Sequence, residues 1–166
     1  MPDVNALFAD YASYHRTAGN KWFHRFGIPV IVLSLMGMLA RVEIFSIQSF
    51  RIDLAMVLIL GSAVYYLALE WRLGLAMLGV SIIFYVAGAA LPFSVNLALF
   101  ILGWILQFIG HLVYEKNRPA FAKNLAHLLI GPLWILSGMV PRRKKPQAAP
   151  GQAGAPVDCL QEPRTR

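Results

Sequence analysis

Cysteine, acidic charge and long polar stretches are all scarce in this 166-residue chain. The single cysteine, Cys159, lies in a polar tail, so neither a disulfide framework nor a thiolate metal cluster is expected. Charged residues make up 14% of the chain, against about 25% in soluble domains. Hydrophobic residues reach 58%, where soluble domains hold about 45–50%. A soluble fold of this length has too little interior to hide that much apolar side chain, and disorder is excluded everywhere except the tail. A cleavable signal peptide is not expected either, because Asp3 and Asp10 interrupt the N-terminus and no short apolar core with a cleavage site follows. There is no internal repeat, and the length forbids a large multidomain enzyme. The class that remains is an all-α integral membrane protein.

What is present agrees with that class. The net charge of +7 does not come from an aromatic-interleaved basic patch, so no nucleic-acid partner is expected. The cations lie at the ends of apolar runs and in one cluster, Arg142–Lys145, which suits anionic headgroups and topology setting. A span needs about 20 apolar residues, and Leu73 to Tyr114 contains no formal charge. That run is too long for one helix, and the turn residues around Pro92 divide it into spans over 73–92 and 95–114. Leu54 to Trp71 makes another span, closed by Glu70 and Arg72. Phe26 to Val42 makes the first, with Pro29 near its N-terminal turn and Arg41 snorkelling to the headgroups. Four transmembrane helices are expected.

The apolar stretch from Asn124 to Pro141 is interrupted by Gly131-Pro132. A fifth crossing would carry Arg142–Lys145 to the side opposite Arg16, Lys21, Arg25, Arg72, Lys116, Arg118 and Lys123, against the positive-inside rule. The segment therefore reads as a C-terminal re-entrant or interfacial helical hairpin. Residues 1–141 form a single membrane-embedded domain in this reading, and 142–166 form a basic, then proline-rich, flexible tail. Both termini fall on the cytoplasmic face of a multi-pass protein, in the inner membrane if the source is bacterial.

This topology puts all four histidines at that same face. His15 and His24 precede the first span, His111 sits in the last turn of the fourth, and His127 opens the re-entrant segment. On one continuous helix His15 and His24 would point to opposite faces, but Gly19-Asn20 offers a break between them. His111 and Glu115 share a face at i, i+4. A histidine in apolar sequence needs a partner or a ligand. Imidazoles with one carboxylate suit iron(II), zinc, copper or nickel, whereas isolated interfacial histidines bond only to backbone or lipid phosphate.

Other polar residues carry two readings each. Gln107, one turn before His111, either orients a ligand or bonds across helices. Tyr11, Tyr14, Trp22 and Trp71 read first as an interfacial aromatic belt. Glu70 reads as an interface residue paired with Arg72 or Lys21. Lys116, Arg118 and Lys123 are topology charges also placed to receive a carboxylate headgroup. Gly61, Gly74, Gly79, Gly88 and Gly103 are expected to permit close helix packing.

Two clusters carry a family resemblance. One is Tyr14-His15, then Asn20, His24 and Gly27-Ile28-Pro29; the other is Gln107-Phe108-Ile109-Gly110-His111, then Glu115-Lys116 and Pro119-Ala120. Together they resemble the membrane-embedded 2-hydroxy fatty acid dioxygenases of fatty-acid α-oxidation, over nearly all of residues 5–141. The resemblance implies an iron(II)-dependent enzyme, independent of 2-oxoglutarate, that converts a 2-hydroxy fatty acid and O2 into the fatty acid one carbon shorter. It implies His15, His24 and His111 as metal ligands. His127 is added as a ligand or a residue behind the ligands. Glu115, Asn20 and Tyr14 enter as catalytic motif residues, with Glu115 orienting a ligand imidazole and Asn20 capping a helix or bonding a ligand. Lys116, Arg118 and Lys123 are the candidate substrate-headgroup residues.

Two alternatives compete. Another mononuclear-metal lipid enzyme, such as a hydrolase, would differ in bound metal and in needing no O2. Four histidines are too few for the paired boxes of a diiron desaturase. A non-enzymatic scaffold or transporter subunit would place polar groups at the bilayer midplane, where spans two and three offer little beyond Ser62, Tyr65, Tyr66 and Ser81.

Overall fold

The structure is a computed structural model, and it describes residues 3–48, 50–116 and 126–140. The chain runs through α1 (Val4–Ser13), α2 (Ala18–Leu39), β1 (Glu43–Ile47), β2 (Phe50–Asp53), α3 (Leu54–Leu69), α4 (Trp71–Ala90), α5 (Phe93–Ile109), a π-helical turn (Gly110–Glu115) and α6 (His127–Ser137). Three helices are long and apolar enough to cross a membrane: Ala18–Leu39, Trp71–Ala90, and Phe93–Glu115 with its π-helical end. Two shorter apolar helices, Leu54–Leu69 and His127–Ser137, accompany them. Their outward faces leave Leu60, Val64, Ile83 and Val86 more than 60% exposed. A surface so continuously apolar suits hydrocarbon rather than water.

α2 is the axis of the bundle. It starts eight residues earlier than the apolar run suggests, because Thr17 caps it by accepting from the Asn20 N–H at 3.3 Å. Pro29 therefore lies inside the helix rather than at its first turn, and the Arg25 carbonyl lacks its usual donor. Small residues let α2 meet its neighbours closely. A Cβ on Gly88 of α4 would lie 2.5 Å from the Leu33 carbonyl oxygen, and one on Gly103 of α5 would lie 2.6 Å from Ile31 Cγ1. Gly27 and Gly37 are the matching positions on α2. Gly74 is equally tight, against the α3 backbone, but a Cβ on Gly61 or Gly79 would meet nothing within 4 Å among the described residues. These contacts run α4 parallel to α2 and α5 antiparallel to it.

The connections are built by caps. Asp53 opens α3 by accepting from Met56 N–H at 2.9 Å and also receives the Tyr85 hydroxyl at 2.7 Å. Glu70 opens α4, accepting from Leu73 N–H at 2.7 Å and Arg72 N–H at 3.3 Å. Its carboxylate is thus a helix cap and forms no ion pair with Arg72 or Lys21 among the described residues. Arg72 lies over the Trp71 ring at 5.3 Å instead. Arg41 turns back to donate to the Leu91 carbonyl, closing the far end of the bundle.

Two elements depart from the expected all-α pattern with a broken C-terminal hairpin. Residues 43–53 form an antiparallel β-hairpin with Phe45 opposite Ile52, tied by an Arg51–Glu43 ion pair at 2.7 Å, with Gln48 at φ 53° in its turn. α6 continues through Gly131-Pro132 as one helix. Tertiary packing outweighs the proline: Ile130 and Leu133 are wholly buried among Phe8, Tyr11, Tyr66, Leu73 and Met77. Tyr66 also donates its hydroxyl to the Leu129 carbonyl at 2.8 Å. The 142–166 tail, Pro119, Arg118 and Lys123 lie outside the described residues.

Candidate metal centre

The chain break that brings His15 and His24 together is not at Gly19-Asn20, which lie within α2, but at residues 14–17. α1 ends at Tyr14, whose N–H returns to the Tyr11 carbonyl at 3.2 Å, and His15 N–H returns to Ala12 at 3.0 Å. His15 thus sits in the elbow between α1 and α2. Its Nδ1–H donates to the Tyr11 carbonyl at 2.7 Å, and its ring stacks on Tyr11 with centroids 4.1 Å apart and planes 16° from parallel. His24, on α2, donates Nδ1–H to the Asn20 carbonyl at 3.0 Å. Both bonds select the tautomer that leaves Nε2 with a free lone pair.

His111 arrives from the other side on the π-helical turn. The wider turn alters the facing of the helix end, and Gly110 allows close approach, since a Cβ there would strike Asn20 Oδ1. The three rings meet edge to face: His15–His24 at 4.3 Å, His24–His111 at 4.7 Å and His15–His111 at 5.0 Å between centroids. One ring nitrogen from each lies within 4.8 Å of the others, and all three residues are buried. His15 Nε2 and His111 Nδ1 have no hydrogen-bond partner among the described residues. Burial pushes the His15 imidazole down to about 4, against the opposing effect of its bond to Tyr11, so it is neutral at pH 7. Buried imidazoles facing one another with unused lone pairs fit a divalent transition metal.

Glu115 is not in this three-histidine group. Its Oε1 accepts from Thr17 N–H at 2.8 Å, Thr17 Oγ1 at 3.1 Å and Asn20 Nδ2 at 3.2 Å. The carboxylate pins the His15 elbow to the end of the His111 helix. Asn20 is part of the same brace, with Nδ2 also 3.4 Å from the Tyr14 carbonyl. Tyr14 is half-buried, with its ring 5.6 Å from that of His127.

His127, the first residue of α6, lines the same cavity but stands outside the group. Its Nε2 meets Asp10 Oδ2 at 2.8 Å, while Nδ1 is buried without a partner. Lys116 is exposed at the end of the π-helical turn, in a left-handed conformation at φ 51°. The cavity, of about 70 Å³, is walled by Tyr11, the four histidines, Trp104 and Gln107, among others. The Gln107 Nε2 amide is buried there with no partner among the described residues.

Tyr11 corrects the aromatic-belt reading: it is 3% exposed, holds His15 by ring and carbonyl, and burial raises its phenol well above the usual range. Asp10, Thr17 and Trp134 were also invisible as site residues. Only Thr17 carried a signal, as a capping residue three positions before Asn20 at a helix start. Trp134 packs on Tyr11 at 5.4 Å and near His15 at 6.2 Å.

Comparison with known proteins places these residues in context. Residues 1–143 match the family described as 2-hydroxy-palmitic acid dioxygenase Mpo1-like. The chain is 32% identical over 149 residues to the 2-hydroxy-palmitic acid dioxygenase MPO1 of Saccharomyces cerevisiae, covering 86% of each chain. No solved structure matches.

Proposed function

Because the chain belongs to the Mpo1-like 2-hydroxy-palmitic acid dioxygenase family, we propose that it is an iron(II) dioxygenase acting on 2-hydroxy fatty acids. The observation that carries this reading is the trio of buried histidines with one ring nitrogen of each within 4.8 Å of the others, His15 Nε2 and His111 Nδ1 having no hydrogen-bond partner among the described residues. In this reading His15, His24 and His111 hold the metal. Bound iron(II) supplies the open-shell chemistry that lets O2 react with a closed-shell carbon, and three neutral imidazoles leave positions open beside it.

The reaction balances without an added reductant. A 2-hydroxy acid and one O2 yield the acid one carbon shorter, carbon dioxide and water, with the C1–C2 bond broken. The residues of the chain position and exclude. Tyr11 and Asn20 fix the His15 and His24 rings through backbone carbonyls. Glu115 holds the elbow against the His111 helix. Gln107 offers an amide donor to the bound head of the substrate, and His127 with Asp10 closes the cavity beside it. Lys116, with Arg118 and Lys123 in the same sequence stretch, draws in the carboxylate.

The same reading places the protein in a bilayer with four crossings. Leu54–Leu69 serves as the short fourth, about 24 Å at 1.5 Å per residue, and α6 stays on the histidine side. That side is cytoplasmic, since it carries Arg16, Lys21, Arg25, Arg72 and Lys116 while Arg41 and Arg51 lie at the other end.

The test is O2 uptake by detergent-purified, iron(II)-loaded protein given 2-hydroxypalmitic acid, with mass spectrometry of the products. Uptake matched to the acid one carbon shorter is expected. A protein that demonstrably holds iron and consumes no O2 with this substrate overturns the reading.

A further inference from the structure

A second cavity, of about 230 Å³, adjoins the histidine chamber. It lies between α2, α4 and α6, and Ile28, Val32 and Pro132 belong to the walls of both. Val80 and Phe84 of α4, and Met139 just past the end of α6 and 62% exposed, also line it. Every residue that lines it is apolar. From Pro132 to Met139 is seven residues of chain, about 10 Å if helical throughout.

The groove sits where both in-helix prolines, Pro29 and Pro132, face it. A proline inside a helix removes one backbone bond and pushes against the preceding turn. Pro29 of α2 and Pro132 of α6 both border the groove, and neither has a backbone N–H to place there. The adjoining α2–α5 seam is the contrast, drawn tight by Gly27 and Gly103. The groove leads to a chamber whose polar side chains are the four histidines, Gln107, Tyr11 and Trp104.

We propose that this groove between α2, α4 and α6 holds the acyl chain of the substrate, with the carboxylate end in the histidine chamber. The inference rests on the function proposed above and adds where the chain lies and what selects its length. Lipid tails are as apolar as the groove, so its occupant gains little from leaving the bilayer. The groove acts through shape: it places C1 and C2 at the histidines and favours chains that fill it. Val80, Phe84 and Met139 then set chain preference.

The test uses the full chain in phosphatidylcholine nanodiscs and a 2-hydroxy fatty acid bearing a diazirine midway along its chain. After irradiation, adducts are expected on Val80, Phe84 and the 132–139 segment, suppressed by unlabelled 2-hydroxypalmitic acid. Labelling that falls equally on Ile82, Ile83 and Val86, which are 50–65% exposed on the outward face of α4, and that resists competition overturns the groove. Val80→Phe, on α4, and Met139→Trp, in the turn after α6, are expected to keep the metal content of the parent protein. Each is expected to lower the ratio of long-chain to short-chain kcat/KM several-fold, with Phe84→Ala shifting it the other way. Ile83→Phe on the outward face should leave the ratio as it is. A ratio unmoved by all three groove substitutions also overturns the proposal. Competed labelling of the groove in a protein that does not turn over the acid supports the groove and removes the reaction reading alone.

Discussion

The two ends of the helix bundle treat buried polar groups differently. At the far end the groups are paired: Asn96 Nδ2 donates to the Gly88 carbonyl at 2.9 Å, Tyr85 to Asp53 at 2.7 Å, and Ser34 to the Val30 carbonyl at 2.7 Å. Among the described residues, His15 Nε2, Asn20 Oδ1, Gln107 Nε2, His111 Nδ1 and His127 Nδ1 are buried with no partner at the histidine end, against Asn96 Oδ1 at the other. Each unpaired buried group costs about 1–3 kcal/mol. A bundle that satisfies its polar groups at one end and leaves several open at the other is shaped there for a ligand. Polar atoms at the far end hold helices together; at the histidine end some do so, as Glu115 does with Thr17 and Asn20, and several others have no partner among the described residues.

Substitutions at the two ends should separate these roles. The largest effect is expected from His111→Ala, or from His15→Ala or His24→Ala. Each should abolish metal retention by elemental analysis and lower activity by about 100-fold or more, and metal content unchanged in a variant would remove that histidine from the ligand set. Glu115→Ala should follow, costing about 10–100-fold in metal affinity or activity. Glu115→Gln, which keeps an oxygen to accept from Thr17, should recover most of the loss; failure of that rescue would mean the charge itself acts at the metal. His127→Ala should retain the metal and slow turnover by about tenfold, whereas loss of metal there would bring His127 into the ligand set. At the far end, Gly88→Val should destabilise by about 1–3 kcal/mol, seen in thermal unfolding, with unchanged metal per folded protein. Tyr85→Phe should be the mildest, about 1 kcal/mol of stability with no change in the site.

The helix order was legible because charge and proline punctuate the apolar sequence. Leu54–Leu69, Trp71–Ala90 and Phe93–Ile109 fall within two residues of the expected starts of the later spans. The start of α2 was displaced because hydropathy marks where a helix enters hydrocarbon, not where its hydrogen bonding begins. Lys21, His24 and Arg25 are polar yet helical, and the capping Thr17 was the better marker. The β-hairpin over 43–53 was too short to stand out between apolar runs. The continuity of α6 depended on Ile130 and Leu133 finding partners on α1, α3 and α4, which no local signal near Pro132 discloses.

By itself, the sequence determined the apolar helical class, the order of the long helices and the gathering of four histidines at one end, since hydropathy and charge decide which chain segments can enter hydrocarbon. Hydropathy and spacing left open which imidazoles meet; the family resemblance named His15, His24 and His111, and only tertiary structure supplies the geometry by which those three come together. That outcome turns on an elbow at residues 14–17, a π-helical turn before Lys116, and a carboxylate at Glu115 that braces the two. Those are angles and distances between segments far apart in the chain, 98 residues in the Thr17–Glu115 bond, and periodicity within a segment carries no record of them.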